Sequence, residues 1–337
     1  MRKRIRTLSK PVKFLSAAAV GGGEEGRGNF GKSFDFLCPD DRFGEKTFER
    51  AEGEMARLSL GFALKKGKIP PEDVGCLFTG DLQNQCAATS LGLLSFGIPT
   101  VGLYGACSTC TEALICASLW LCESPENSVA AAVTCSHNSA AERQFRTPLE
   151  YGAQRAPTAQ WTATAAGAFL LGSDGGEGMP EIREIMIGKV VDGCSPDASN
   201  MGAAMAPAAA DSIVTYLRES GFEPSKFDAI VTGDLGKVGS ALAEELCFNE
   251  GYDISGNHFD CGCMLYDFSK QDVHAGASGC GCSASVLACH FLPELQKGKY
   301  REILFLSTGA LMSPTSVMQK QNIAGIAPVI RICGGEK

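Results

Sequence analysis

Apolar residues in this chain cluster in short runs with little alternation between apolar and polar positions. Val74-Gly75-Cys76-Leu77-Phe78, Val129 to Thr134, Ala229-Ile230-Val231 and Ile303 to Ser307 are runs of this kind. Such runs read as strands of sheets covered on both faces. Between them lie segments that read as helices: Phe48 to Lys66, Ala206 to Ser220 and Ser283 to Leu295, the second with Pro207 near its first turn. A first strand is expected around Val12 to Ala18. Strands alternating with helices predict an α/β fold on parallel sheets with crossover connections.

The pattern occurs twice. Pro70-Pro71-Glu72-Asp73-Val74-Gly75-Cys76-Leu77-Phe78-Thr79-Gly80-Asp81-Leu82 is echoed by Pro224-Ser225-Lys226-Phe227-Asp228-Ala229-Ile230-Val231-Thr232-Gly233-Asp234-Leu235. Each copy follows a helix and ends its strand in Thr-Gly-Asp-Leu. An offset of 153 residues in a chain of 337 indicates a duplicated unit rather than a solenoid, whose repeats are far shorter. The expected division is residues 1–180 and 181–337, two βα-rich halves packed face to face with pseudo-twofold symmetry. The stretches Gly21 to Gly26 and Gly172 to Gly178 read as loops, without the spacing of a phosphate-cradling motif.

Within the first half, a short β-rich run from Thr100 ends in Gly105-Ala106-Cys107, and a helix of small residues follows. Thr109 and Glu112 stand at capping-box spacing and mark the expected helix start. Cys107 therefore falls where a strand turns into a helix. Free N–H groups and the positive dipole end at that point favour a thiolate or a bound anion. Placement of this kind can lower a thiol pKa. The same spacing also suits a small buried cysteine at a tight turn.

Composition narrows the choices. With 45% hydrophobic and 20% charged residues the chain is an ordinary globular protein long enough for a full core. A net charge of −8 argues against a general nucleic-acid surface. The 16 cysteines sit in apolar and Gly/Ala-rich runs, which reads as free packed thiols in a reducing compartment. The basic start at Arg2-Lys3-Arg4 is followed by a run broken at Pro11 and Lys13, so no signal peptide is expected. No stretch approaches the ~18 apolar residues of a membrane span.

A duplicated βα chain with a cysteine at such a turn resembles the thiolase and ketoacyl-synthase fold, layered α-β-α-β-α. A narrower likeness rests on several runs. These are Tyr104-Gly105-Ala106-Cys107-Ser108-Thr109, Ser136-His137-Asn138-Ser139-Ala140-Ala141-Glu142-Arg143-Gln144-Phe145-Arg146, Glu150-Tyr151-Gly152, Met201 to Asp211 and Ser278-Gly279-Cys280-Gly281-Cys282-Ser283-Ala284. Together with both Thr-Gly-Asp-Leu copies they resemble the stage V sporulation protein AD family, of the SpoVA group, from about Phe48 to Val329.

That resemblance implies a role in endospore formation, in which the group moves dipicolinic acid, as its calcium chelate, into the forming spore and out at germination. It implies a binding protein peripheral to the spore inner membrane, with integral membrane subunits of the SpoVA group as partners. It allows a homodimer and implies no cofactor. The expected ligand site is floored by Cys107 and Ser108 and flanked by His137, Asn138, Arg143, Gln144 and Arg146. Arg143 and Arg146 would share a helix face, and guanidinium forks match carboxylates. Calcium would be held mainly by the chelate, since no EF-hand loop occurs.

Two other functions remain open at this stage: an acyl-transfer or condensing enzyme using Cys107, and a scaffold that only docks membrane subunits. Thiolase chemistry needs a second proton-handling residue, which a Gly-His-Pro signature supplies in thiolases. None of the four histidines, His137, His258, His274 and His290, stands in that signature. His274 lies near the expected place, His290 reads as helix packing and His258 as a surface loop residue. The pairs Cys261/Cys263 and Cys280/Cys282 are spaced too closely for a usual structural zinc site.

Overall fold

The computed structural model describes residues 3–145, 155–174, 176 and 178–335. Its main sheet is built, in chain order, from Ile5–Gly21 (β1), Val74–Gly80 (β2), Thr100–Gly102 (β3), Val129–Ser136 (β4) and Ala165–Gly172 (β5). The second set is Glu181–Met186 (β6), Ala229–Thr232 (β7), His258–Asp260 (β8), Glu302–Leu306 (β9) and Val329–Cys333 (β10). The hydrogen-bonded order is β8-β7-β9-β10-β6-β1-β5-β4-β2-β3. The order β1-β5-β4-β2-β3 is thus repeated by β6-β10-β9-β7-β8.

β1 is the hinge of this arrangement and runs well beyond the expected Val12 to Ala18. Its residues 13–21 pair antiparallel with β5, and its earlier residues pair antiparallel with β6. The β1–β6 ladder breaks between Thr7 and Val12. Pro11, which has no N–H to give a ladder, lies in that break. The two sets of strands are therefore edge-joined through one continuous chain segment.

Each set is mixed rather than parallel. β2 is parallel to β3 and β4, but β5 runs antiparallel to both β4 and β1. β9 and β10 repeat the reversal. Strand direction is not readable from the residues because β5 is buried at every position, so no alternation reports its neighbours.

Helices cover and separate the strands. Phe48–Gly67 (α2), after a short Gly23–Arg27 helix (α1), and Ala87–Gly92 (α3) pack on the outer face of the first set, and Met201–Ser220 (α6) and Gly236–Asn249 (α7) on that of the second. Thr109–Glu123 (α4) and Cys280–Val286 (α9) lie between the sets, in contact with each other and with strands of both. Asn138–Phe145 (α5) and Cys261–Met264 (α8) are short. The result is a five-layered α-β-α-β-α fold whose largest core, with Phe14, Leu114, Phe169, Phe291 and Phe305, joins the two halves.

Three local expectations shift. α6 begins at Met201, not near Pro207, because the Asn200 side chain accepts from the Ala203 N–H at 3.3 Å and caps it earlier. The segment expected as one helix from Ser283 starts at Cys280 and passes through a π-turn at Leu287–Phe291. The Gly-rich stretch after β1 is the helix α1 rather than a loop. Its buried Glu25 accepts from the Gly22 N–H (3.2 Å) and the Thr164 N–H (3.0 Å). No helix among the described residues is long and apolar enough to cross a membrane.

Candidate functional site

The turn that presents Cys107 is held from both sides. Leu103 N–H donates to the Thr79 carbonyl at 2.8 Å, fixing the chain as it leaves β3. Ala106 then takes a left-handed φ of 52°, a strained conformation for a residue with a Cβ. The expected capping box does not form, and the helix start falls one residue earlier than expected, without a side-chain cap on its N–H groups. Ser108 is the N-cap residue, and its hydroxyl lies 2.7 Å from the Gly105 carbonyl and 2.8 Å from Glu112 Oε1. Thr109 Oγ1 accepts from the Gly105 N–H at 3.0 Å and donates to the Ala106 carbonyl at 2.7 Å. A Cβ on residue 105 would stand 2.0 Å from the Glu112 carboxylate, so a side chain there would push Glu112 off the Ser108 hydroxyl.

The second half supplies what faces the thiol. Ser278 Oγ lies 3.7 Å from Cys107 Sγ and donates to Asp234 Oδ2 at 3.1 Å. Asp234 also accepts from the Gly279 N–H at 2.8 Å and from Thr308 Oγ1 at 2.8 Å. Burial pushes the Asp234 carboxyl up to about 6. Burial first, and then the neighbouring Asp234 charge, push the Cys107 thiol well above its ordinary value. The lowered thiol pKa expected from the helix N-terminus is thus reversed. Loss of solvation and an adjacent carboxylate outweigh a dipole effect of about 1 kcal/mol.

Above the thiol opens a cavity of about 280 Å³ between the halves. Leu82, Tyr104, Cys107 and Phe145 line it from the first half, and Ser278, Met312 and Val317 from the second. Arg155, Gln160 and the acidic Glu142 are also in its wall. Arg155 Nη2 donates to the Asp272 carbonyl (2.8 Å) and to Asp272 Oδ2 (3.0 Å), and the guanidinium carbon sits 4.9 Å from the Trp161 ring centre. Among the described residues its buried Nη1 has no hydrogen-bond partner. Gln160 Nε2 donates to the Asp234 and Ala277 carbonyls, which fixes the amide and leaves Oε1 buried and, among the described residues, unpaired.

Of the residues expected in the site, Cys107 lines the cavity. Ser108 is buried behind it in the cap. His137 is turned away: its Nε2 lies 2.9 Å from the Asp41 carbonyl, and its Nδ1 accepts from the Ser139 N–H at 3.2 Å. Those partners require the neutral ring, and burial lowers its pKa accordingly. The Asn138 N–H donates to Thr164 Oγ1, and its buried Nδ2 has no partner among the described residues. Arg143 pairs with Glu49 on α2 at 3.0 Å. Gln144 clamps α5 to the segment after β2, donating to the Leu82 carbonyl (2.7 Å) and accepting from the Asn84 N–H (2.9 Å). Arg146 and the run Glu150-Tyr151-Gly152 lie outside the described residues.

The other histidines also stand away from the thiol. His258 is not a surface residue: it is buried on the edge strand β8 between Thr232 Oγ1 (2.9 Å) and Glu244 Oε1 (2.8 Å). His290 packs against Phe30, Phe291 and Tyr300. His274 contacts the Ala156 carbonyl and Asp272. Among the described residues, no three His, Cys, Asp or Glu side chains gather as a metal-binding group.

The site residues that motif reading passes over are Asp234, Ser278, Arg155 and Gln160. The first two belong to runs that stand out in the sequence, the second Thr-Gly-Asp-Leu copy and the run from Ser278 to Ala284. Arg155 and Gln160 carry no local signal.

This fold and its thiol turn define a class, the thiolase-like condensing-enzyme fold. The chain is similar to AbyA1, a tetronic acid condensing enzyme (TM-score 0.63, 15% identity, covering 96% of this chain and 100% of that one). It is similar to a variant of OleA from Xanthomonas campestris (TM-score 0.60, 14% identity, 96% and 99% covered). It also resembles 3-oxoacyl-[acyl-carrier-protein] synthase III of Aquifex aeolicus VF5 (TM-score 0.54, 13% identity, 95% and 99% covered). At these identities the likeness is one of fold.

Within that class, a family model for stage V sporulation protein AD (SpoVAD) matches residues 2–333. Stage V sporulation protein AD of Bacillus subtilis (strain 168) is 37% identical over 325 residues, which cover 96% of this chain and 95% of that protein. The chain belongs to the stage V sporulation protein AD family, a family of sporulation proteins.

Proposed function

We propose that this sporulation protein binds dipicolinate, free or as its calcium chelate, in the cavity above Cys107 and does not turn it over. The observation that carries this reading is the Arg155 guanidinium in the wall of that cavity, whose buried Nη1 has no hydrogen-bond partner among the described residues. A buried charged donor left unpaired is costly, and a carboxylate is the group that best completes it. Dipicolinate brings two carboxylates on a flat ring, and the apolar side chains of Leu82, Phe145, Met312 and Val317 offer faces for the ring. Cys107 suits a floor better than a nucleophile, because its thiol is held protonated beside Asp234. In this reading the protein works at the periphery of the spore inner membrane with integral SpoVA subunits, in uptake of dipicolinate and its release.

Calorimetric titration with dipicolinate, with and without calcium, tests this directly. Saturable binding to the native protein is expected, with Arg155→Lys weakened about 10- to 100-fold, because a point charge cannot hold Asp272 and a carboxylate together. Absence of heat from the native protein in both arms, together with transfer of a labelled acyl group from acyl-CoA onto Cys107, overturns the proposal.

A further inference from the structure

Gln160, in the cavity wall, carries an amide whose two ends differ in state. Both hydrogens of Nε2 are spent on backbone oxygens of the second half, the Asp234 carbonyl at 2.7 Å and the Ala277 carbonyl at 2.8 Å. Carbonyl oxygens only accept, so they fix which end of the amide is nitrogen and turn Oε1 away from them. The chain is pinned on both sides of this residue. The Ala275 N–H donates to the Ala159 carbonyl at 3.0 Å, and the Trp161 N–H donates to the Gly276 carbonyl at 2.8 Å. Gly236, at a left-handed φ of 63°, packs so closely that a Cβ there would stand 3.0 Å from Nε2. Gln160 is 2% exposed, and its Oε1 has no partner among the described residues. A buried acceptor held in place and left empty costs free energy that a ligand's donor recovers.

The charges around the cavity point the same way. Arg155 is the one lysine or arginine among the described lining residues, and Asp272 already pairs with it. Glu142 also lines the wall, and Asp234 lies at the floor, joined to the thiol through Ser278. An anion with acceptors on every side gains Arg155 Nη1 and is opposed by the rest. We infer that Gln160 is a specificity-determining residue: the cavity takes a ligand that offers a carboxylate to Arg155 and a hydrogen-bond donor to Gln160 Oε1. This deepens, and rests on, the carboxylate reading of the cavity. Free dipicolinate at neutral pH is a dianion with acceptors only. Its calcium chelate is neutral, and water in the remaining positions around the ion supplies the donor. The site therefore favours the chelate over the free dianion.

A ligand series tests this by calorimetry at about pH 7.5, where both dipicolinate carboxyls are ionised. The probes are dipicolinate alone, dipicolinate with calcium, and 6-carbamoylpyridine-2-carboxylate alone, whose amide replaces one carboxylate and brings N–H donors without a metal. The native protein is expected to bind the chelate and the monoamide each at least about tenfold tighter than the free dianion. Gln160→Met keeps the length of the side chain and removes the strong acceptor. It should lose about tenfold of that preference, and what it retains is the effect of charge. The readout is a ratio of affinities within one protein, so a general weakening of the wall by the lost Nε2 bonds does not move it. Arg155→Lys should weaken all three probes and leave the ratio unchanged. A free dianion bound by the native protein as tightly as the monoamide overturns the inference and leaves the receptor reading standing. A preference that Gln160→Met keeps in full does the same. A monoamide bound in a Gln160-dependent way, with dipicolinate bound in neither form, overturns the receptor reading and leaves the inference. Absence of binding by every probe overturns both.

Discussion

The Cys107 thiol lies against the Asp234 carboxylate, with the Ser278 hydroxyl between them, 3.7 Å from the sulfur and 3.1 Å from Asp234 Oδ2. One half contributes the thiol and the other the acid, so the contact exists only in the folded, duplicated unit. A carboxylate at this place opposes the thiolate that condensing chemistry needs. Cys107 is therefore expected to alkylate slowly at pH 8, more slowly than the exposed Cys194. Asp234→Asn should speed modification of Cys107 by about tenfold for each pKa unit regained. Peptide-level mass spectrometry after timed iodoacetamide treatment checks this, and a Cys107 that reacts first in the native protein contradicts it.

Glu25 governs a second pH effect. Burial pushes its carboxyl up from 4.5 to about 7, despite hydrogen bonds from Tyr266, Gly22 and Thr164. Below pH 4.5 both folded and unfolded chains carry the proton, and no cost arises. Between 4.5 and about 7 the unfolded chain ionises while the folded one does not, so stability falls as pH rises. The shift corresponds to about 3 kcal/mol. His137, whose pKa is lowered by burial, acts in the opposite sense and stabilises as pH rises through its range. The difference between native protein and Glu25→Gln isolates the glutamate. Urea unfolding should show the native protein losing stability relative to the variant from pH 5 to 8; parallel curves contradict the assignment.

The α5 residues supply a third prediction. Gln144 ties α5 to the chain after β2 through two hydrogen bonds, and Arg143 pairs with Glu49 at an exposed position. Gln144→Ala should cost about 1–2 kcal/mol in unfolding free energy. Arg143→Ala should change stability by less than about 1 kcal/mol, because the pair is exposed. Neither should alter dipicolinate affinity more than about twofold, since neither side chain lines the cavity. A large loss of affinity in Arg143→Ala would return that residue to the site.

Much of the scaffold is legible in residue patterns. The helical pattern from Phe48 to Lys66 is realised as α2, because Thr47 caps its start and Lys68 ends it in a left-handed turn. The repeated Thr-Gly-Asp-Leu marks the ends of equivalent strands, β2 and β7. The two copies nevertheless do different work. Asp81 accepts from the Gln83 N–H and from Thr89, holding its own half together, whereas Asp234 reaches the other half's cysteine. No local pattern separates these roles, since they depend on what packs opposite. The polar run from Ser136 to Phe145 likewise suits a ligand wall or a structural clamp, and His137 and Gln144 spend their polar atoms on backbone groups. Arg155 is silent in the sequence for the converse reason. Its partner Asp272 is 117 residues away, and a lone arginine carries no motif.

The central claim is that Arg155 receives a ligand carboxylate in the cavity above Cys107. A crystal structure of the protein with dipicolinate tests it most directly. The expected result is the pyridine ring between Leu82, Phe145 and Met312, with a carboxylate oxygen about 2.7–3.2 Å from Arg155 Nη1. Dipicolinate bound elsewhere on the protein, with this cavity empty or closed and Arg155 Nη1 still unpaired, would contradict it.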